Sequence, residues 1–518
     1  MDQRKFTIIN QYIGKKLLYF ILNIDENAVA DITYENFSFN ENQLFVLESL
    51  DKAIRQVRVN YINQDGFGDG AGYFLRSLSV DNGSLYNHYR NICGGVLPNI
   101  VTSDKLLGFL SKLCIKLYPS LLLKSSFEDM GFYGATLVDM NDMNTFISLV
   151  KTDMLNLITN QQEDLEYAFV FKTDDDLEFN IQVATACSTL IMRSFQNCCN
   201  RMEYDIESVI QEINRNISLL RDLAKGKEIE YSTFIGIRNL RFHDFKEIDF
   251  GCARIRQIDD ISNPSRHTNS IASQHNTNDS KYYSGCVVEV KHKTKIVSNK
   301  SEMNYIMTEK IIGKQDNILD CVKFSIVFSI MSDRAADSTF YESGFPLVIP
   351  GNYSSSRERP SYFTEVYPKN LDDIGAWFQL LCNKDLSKVK VPLSRLKYAI
   401  FERSQAEDSI VDAIIAWEGM FSEAFETTFK VTGSISKFLY ESTNRSKFYN
   451  RLKDLYNLRS VIVHGKNRSK SLLNKENPEK LRSEVIKIGL ECMKKLLRDE
   501  ELLELEPSDR VKKIMVLG

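Results

Sequence analysis

Leu455-Tyr456-Asn457-Leu458-Arg459-Ser460-Val461-Ile462-Val463-His464-Gly465 is the stretch whose reading decides the C-terminal part of this 518-residue chain. It sets a fixed cation, Arg459, and a titratable base, His464, with four residues between them, in a chain that has only six histidines. Leu452, Leu455, Leu458 and Ile462 recur at helical spacing. Gly465 is the residue type that ends a helix in left-handed backbone, which places His464 in the last turn, where the negative end of the helix dipole favours a cation. The surroundings are basic. Between Glu441 and Lys475, nine lysines and arginines face only Glu441 and Asp454, a local balance of +7 in a chain whose net charge is −4. A cation-rich surface with one histidine and no acidic cluster suits chemistry on a phosphodiester.

Those residue types are sufficient for metal-independent cleavage of RNA. The 2′-hydroxyl attacks the adjacent phosphate, and the enzyme must move protons and stabilise charge building on the phosphoryl oxygens. Histidine, with an ordinary pKa of about 6.5, does proton work near neutrality. Arginine stays charged and offers a planar fork of donors that matches phosphate. His464 is therefore assigned to general acid/base catalysis and Arg459 to the phosphate, with Lys453, Lys466 and Arg468 as contacts to the RNA backbone. In a continuous helix, five residues advance about 7.5 Å and rotate about 140°, so the two motif side chains do not share one narrow face. Two copies related by a two-fold axis would bring both pairs together, so a composite site in a homodimer is expected.

Taken outward, the stretch resembles the R-x4-6-H signature of HEPN domains, and specifically the Apea-like HEPN group of bacterial defence proteins. Tyr456, Leu458, Arg459, Ser460, Val463, His464 and Gly465 match the group's motif segment, in which Ser460 stands where many HEPN domains carry a larger polar residue. Arg403-Ser404, Glu407-Asp408, Ile410-Val411-Asp412 and Ala416-Trp417-Glu418-Gly419-Met420-Phe421 are similar to its first long helix. The likeness covers roughly residues 388 to 505, about a quarter of the chain. It implies an all-α bundle that forms a homodimer or a larger even assembly and cleaves RNA, often tRNA, with paired Arg and His and no metal or other cofactor. Related proteins act in anti-phage abortive infection. By the same likeness the first 370 or so residues sense infection, through a phage-derived trigger, and hold the nuclease silent. Two rivals stand beside this reading. One is a non-catalytic HEPN protein that binds a nucleotide or RNA as a sensor or scaffold. The other is a toxin held in check by a separate antitoxin.

The helical reading of this part also follows from spacing alone. Ile410, Ile414, Trp417, Phe421 and Phe425 form one apolar stripe; Leu481, Val485, Ile488, Cys492 and Leu496 form another, with Gly489 inside it. Such stripes mean core. Glu418, beside the first stripe, reads as a solvated face residue in preference to one that orients Arg459. Tyr456 reads as a packed aromatic with its hydroxyl at the edge.

Composition, 43% hydrophobic and 26% charged, is that of an ordinary globular protein, and the fold class expected is α+β. Residues 1–230 read as a mixed, mostly helical domain, 231–370 as a β-containing middle region with a polar loop at 259–284, and 371–510 as the HEPN bundle. The longest early apolar run, Leu17 to Leu22, is far too short for a bilayer, so no membrane association and a cytoplasmic location are expected. Ten cysteines without a C-x-x-C pair read as buried free thiols of a reducing compartment.

Along the chain, Thr102 to Tyr118 reads as a helix stopped by Pro119, and Ile181 to Leu223 as one long helical stretch. Tyr231 to Phe242 and Phe245 to Gln257 read as strands, the second with a bulge at Gly251. Val288 to Ile296 reads as a half-exposed strand whose outer face carries Glu289, Lys291, Lys293 and Lys295. Other features carry less. Asp65 to Gly72 lacks the Lys-Ser/Thr of a phosphate loop and reads as a flexible turn. Asp174-Asp175-Asp176 reads as a solvated turn. Tyr353, Arg357, Arg359, Tyr362 and Phe363 read as loop, and His267 and His275 are weak metal candidates.

Overall fold

The computed structural model describes residues 2–25, 32–61, 75, 78–80, 83–123, 138–160, 167–175, 178–258, 285–298, 309–333, 337–348, 364–422, 427–465 and 472–517. The fold is α+β, with a helical C-terminal region. The chain divides into two compact units: residues 1–236, 258–315 and 340–354 make the first, and 237–257, 316–339 and 355–518 the second. Segments of the 231–370 stretch thus belong to both. The 259–284 loop, Asp65 to Gly72, Asp176, His267, His275 and the 353–363 aromatics and arginines lie outside the described residues. Among the described residues, no helix is long and apolar enough to cross a membrane.

The first unit contains helices α1 (Gln3–Ile13), α2 (Lys15–Leu22), α3 (Glu41–Tyr61), α4 (Leu85–Ile92), α5 (Lys105–Leu122), α6 (Met140–Asp153), α7 (Val183–Asn200) and α8 (Ile206–Ala224). Its small antiparallel sheet is built on strands β1 (Ile158–Asn160), β2 (Tyr167–Thr173) and β3 (Glu178–Gln182); β2 pairs with both β1 and β3, in a register that sets Phe169 opposite Ile158 and Ile181.

Two sequence expectations fail here for identifiable reasons. Pro119 does not end α5, which runs on to Leu122. Proline has no N–H for the carbonyl four residues back, Ile115, and that carbonyl accepts a hydrogen bond of 2.9 Å from the Asn87 side-chain amide instead. The 181–223 stretch is not one helix: β3 occupies its start, and α7 and α8 are separated at Arg201 to Asp205. Met202 there takes left-handed backbone (φ 65°), and the Asp205 carboxylate accepts from Ser208 N at 2.7 Å, capping α8.

α7 is buried almost all round, polar residues included, which a search for an amphipathic stripe does not anticipate. Arg193 and Glu342 form a fully buried ion pair at 3.0 Å, and Asn200 donates to Glu342 at 3.1 Å. Arg201 lies between Glu212 (2.9 Å) and Glu289 (3.3 Å).

The Tyr231–Phe242 stretch is two strands, β4 (Ile229–Arg238) and β5 (Leu240–Phe242), broken at Asn239, whose φ is 62°. β6 (Glu247–Asp249) and β7 (Ala253–Gln257) make an antiparallel hairpin, and Gly251 (φ 85°) sits in its turn rather than in a bulge. Strand β8 (Cys286–Thr294) is buried on both faces from Cys286 to Val290; only Lys291 and Lys293 on it are fully exposed, and Glu289, expected outside, is buried against Ser232 and Arg201. After it come β9 (Ile296–Ser298), which pairs with β2, and β10 (Asp337–Ser343). Asp174 keeps its turn, but Asp175 is buried and accepts from Thr173, Tyr231 and Thr294 at 2.5, 2.8 and 2.6 Å.

In the second unit, β5 pairs in parallel with β11 (Thr364–Val366). The unit also holds the β6–β7 hairpin and the helices α9 (Glu309–Ile330), whose later part belongs here, α10 (Leu371–Asn383), α11 (Lys390–Lys397), α12 (Ala406–Phe421), α13 (Thr427–Leu439), α14 (Ser442–His464), α15 (Leu472–Lys475), α16 (Pro478–Arg498), α17 (Glu500–Leu503) and α18 (Pro507–Lys512). The expected stripes are core: Ile410, Ile414, Trp417 and Phe421 on α12, Leu452, Leu455 and Leu458 on α14, and all five apolar positions on α16 are buried, with Ile462 half-buried at the edge. Phe425 lies outside the described residues.

Gly489 belongs in its stripe because α16 crosses α12 there. A β-carbon at this position would come within 3.1 Å of Trp417 Nε1 and 3.0 Å of a Leu396 methyl. The core also takes in Phe324, Val327 and Phe328 from α9.

Candidate functional site

The motif lies on α14, helical without interruption from Ser442 to His464. Gly465 follows in left-handed backbone (φ 67°), and its N–H donates to Val461 O at 2.9 Å, closing the helix as its position in the sequence predicts. Because the helix is regular, Arg459 and His464 are separated by about 7.5 Å along the axis and about 140° around it.

Arg459 faces α12. Its Nη1 donates to Glu418 Oε1 at 3.0 Å, and the Tyr456 hydroxyl donates to the same oxygen at 2.5 Å. Tyr456 and Arg459, three residues apart, lie on one side of α14, so a single carboxylate from the facing helix receives both. Burial and the hydrogen bond to Glu418 push the Tyr456 hydroxyl well above its ordinary pKa, so it is a fixed donor and not a source of protons near neutrality. Glu418 is mostly buried (17% exposed) and positions Arg459, contrary to the preferred reading of it as a solvated face residue. Arg459 stays partly open to solvent at 42%, although its Nε is buried without a hydrogen-bond partner among the described residues. The guanidinium is thus held through Nη1, and the donors it can still offer are on its terminal nitrogens.

His464 is exposed at the end of α14 and makes no hydrogen bond or ion pair with any described residue. Ser460 and Lys453 are exposed on the same helix. Lys466 and Arg468 lie outside the described residues.

The basic excess of the segment is smaller in space than in sequence. Arg451 forks onto two carboxylates, Glu476 at 2.7 and 2.8 Å and Glu484 at 2.9 and 2.5 Å, which ties α14 to the start of α16. Both glutamates fall just beyond the window in which the charge was counted. Arg445 donates to the Tyr440 carbonyl at 3.3 Å.

Two arrangements escaped the sequence reading. Asp412, buried on α12, receives Arg395 at 2.9 Å and Arg403 at 2.6 Å. Arg510, fully buried, forms no ion pair among the described residues and donates to four main-chain carbonyls: Met420 and Leu505 at 2.8 Å, Leu502 at 2.9 Å and Leu503 at 3.2 Å. No local pattern sets Arg510 apart from its charged neighbours Asp509, Lys512 and Lys513. Nor does one set Asp412 apart from Glu402, Glu407 and Asp408.

Chemically, α14 offers a held cation facing α12 and an exposed imidazole without a partner among the described residues. Among the described residues, no group of three or more His, Cys, Asp or Glu is placed to hold a metal ion. No family model matches the chain, and neither a curated protein nor a solved structure was found to match it.

Proposed function

We propose that the C-terminal helical region is a HEPN-type endoribonuclease of the Apea-like kind, acting on RNA, with tRNA as the substrate class, in cytoplasmic anti-phage defence. The observation that carries the reading is the different treatment of the two motif residues. Arg459 is oriented by Glu418 and Tyr456 with donors left over, while His464 stands unengaged at the terminus of the same helix. A phosphate-binding fork needs a fixed direction, and a proton carrier needs access to substrate.

In the mechanism, the spare donors of Arg459 take the non-bridging oxygens of the scissile phosphate and stabilise the charge that grows there as the 2′-hydroxyl attacks. His464 moves one of the protons, either from the attacking 2′-hydroxyl or to the leaving 5′-oxygen. Lys453 lies on the same helix as a contact for the RNA backbone. Two motif pairs across a dimer axis supply a second imidazole for the other proton. The N-terminal unit acts as the sensor of a phage-derived trigger.

One observation favours a rival. The Arg459–Glu418 ion pair also suits a structural arginine in a non-catalytic, RNA- or nucleotide-binding HEPN domain. The deciding experiment is cleavage of total tRNA in EDTA by the wild type and by His464→Ala. We expect discrete products from the wild type and a loss of about 10²- to 10⁴-fold in the variant, with unchanged thermal unfolding because His464 is exposed. RNA binding without cleavage, with or without phage lysate, would establish the rival.

A further inference from the structure

Glu491, Lys494, Lys495 and Arg498 recur along α16 at spacings of three, one and three, so they share one face of that helix. The two lysines reach sideways to the ends of two other helices. Lys494 Nζ donates to Phe328 O at 2.5 Å, in the last turn of α9, and Lys495 Nζ donates to Phe438 O, in the last turn of α13. Carbonyls in a last turn lack a partner within their own helix, and a lysine side chain can supply one. The charged face of α16 therefore lies between two helix C-termini. Met331, which follows α9 in left-handed backbone (φ 52°), and Leu439, the last residue of α13, complete the lining of a cavity of about 400 Å³.

Capping the two helices uses one N–H of each lysine and leaves two. Among the described residues neither lysine pairs with a carboxylate, Glu491 pairs with no cation, and Arg498 has only Asp373, at 3.7 Å. The lining thus carries three cations and one carboxylate, a net charge of +2. Burial depresses the Lys494 pKa, and Arg498 adds to that effect while Asp373 and Glu491 oppose it. An anion in the cavity relieves this penalty. Met331 and Leu439 give the same cavity an apolar side, and its volume is in the range of small-molecule sites.

We infer that this cavity binds a small phosphomonoester with an apolar body. None of its lining residues lies on α14, and the inference stands apart from the ribonuclease reading. A phosphomonoester carries about −1.5 to −2 at neutral pH, which balances the lining. Its three terminal oxygens accept from the remaining N–H groups of Lys494 and Lys495 and from the planar fork of Arg498. Its apolar body covers Met331 and Leu439 and is withdrawn from water there. A carboxylate brings less charge to the same three cations, and inorganic phosphate has nothing to set against the apolar side.

A reporter is built in. Arg498 and Lys494 lie over the ring of Trp377, at 4.5 and 5.5 Å from its centroid, and the chain has only one other tryptophan. The test titrates the full-length protein with hexyl phosphate, inorganic phosphate and hexanol at constant ionic strength, read by tryptophan emission and by calorimetry. Hexyl phosphate should saturate one site per chain, inorganic phosphate should bind at least about tenfold more weakly, and hexanol should give no saturable signal. Arg498→Gln, at a side chain 59% exposed and so of little risk to folding, should weaken hexyl phosphate at least about tenfold. Lys495→Gln should weaken it by a similar factor, and because Lys495 is not one of the cations over Trp377 it separates loss of ligand from loss of signal. The inference is overturned if hexyl phosphate gives neither heat nor an emission change up to millimolar concentration. It is overturned too if hexanol or inorganic phosphate binds as tightly as hexyl phosphate, or if both variants keep the wild-type affinity.

Discussion

Among single residues, Arg510 shows how a charge can serve stability alone. Its guanidinium spends its donors on carbonyls at the close of α12 and around α17, where helix ends leave acceptors unpaired and the dipoles favour a cation. Burial lowers its pKa to about 10, so it remains charged at neutral pH. Arg510→Met keeps the volume and removes every one of those donors. Each buried carbonyl left without a partner costs about 1–3 kcal/mol, and Leu502 O keeps the Leu505 N–H, so the variant should lose about 3 kcal/mol or more of stability, read from the urea midpoint. A loss under about 1 kcal/mol would mean that water replaces the guanidinium. The motif residues behave differently. Arg459 and His464 stand out in the sequence by residue type and spacing alone. Glu418 was not, because whether a carboxylate one position off an apolar stripe meets solvent or the next helix depends on the rotation of α12 against α14, which no local pattern records.

Helices and strands were legible where the pattern was periodic and illegible where a partner far away in sequence intervened. The stripes on α12, α14 and α16 identified their cores. The continuation of α5 through Pro119 depends on Asn87, and the burial of α7 depends on carboxylates brought from Glu212, Glu289 and Glu342. Two consequences can be measured at this scale. Gly489→Ala should destabilise the protein by about 1–2 kcal/mol, although alanine is the better helix former by roughly 1 kcal/mol, because the fully buried Trp417 has no room to retreat. A stabilised variant would show that α16 can move away.

The second consequence concerns the start of α5. Asp104 accepts from Leu106 N and Leu107 N at 3.1 Å each and holds Arg221 of α8 at 2.5 and 3.0 Å. Arg221 keeps the Asp104 carboxyl at about 2, below its ordinary 3.8. A carboxylate with a depressed folded-state pKa adds stability that is present above the unfolded value and lost as pH falls through the folded one. The Asp104 contribution, about 2 kcal/mol, should therefore be complete near pH 5 and mostly gone by pH 2. Asp104→Asn should differ from the wild type by about that amount at pH 7 and converge with it at pH 2 in urea unfolding. A gap that persists at pH 2 would assign the effect to the cap and not to the ion pair.

On the proposed ribonuclease reading, the question for the whole molecule is how many protomers make one site. On one α14, Arg459 is turned toward α12 and His464 is turned about 140° away, at the exposed end. One phosphate therefore meets both groups more readily if they come from two copies of the helix. Val463, 58% exposed beside His464, is an apolar residue at that helix end through which the proposed dimer can be tested. A composite site has a kinetic signature that a self-contained one lacks. Specific activity should fall as the protein is diluted below its dimer dissociation constant. Adding an excess of His464→Ala protein to a fixed amount of wild type should suppress cleavage further, because wild-type chains are drawn into dimers with a single imidazole. Val463→Glu should weaken association and activity together, since an unpaired carboxylate at the contact must be desolvated. Cleavage per wild-type chain that stays constant through dilution and mixing would place the whole reaction within one protomer and leave Val463 as ordinary surface.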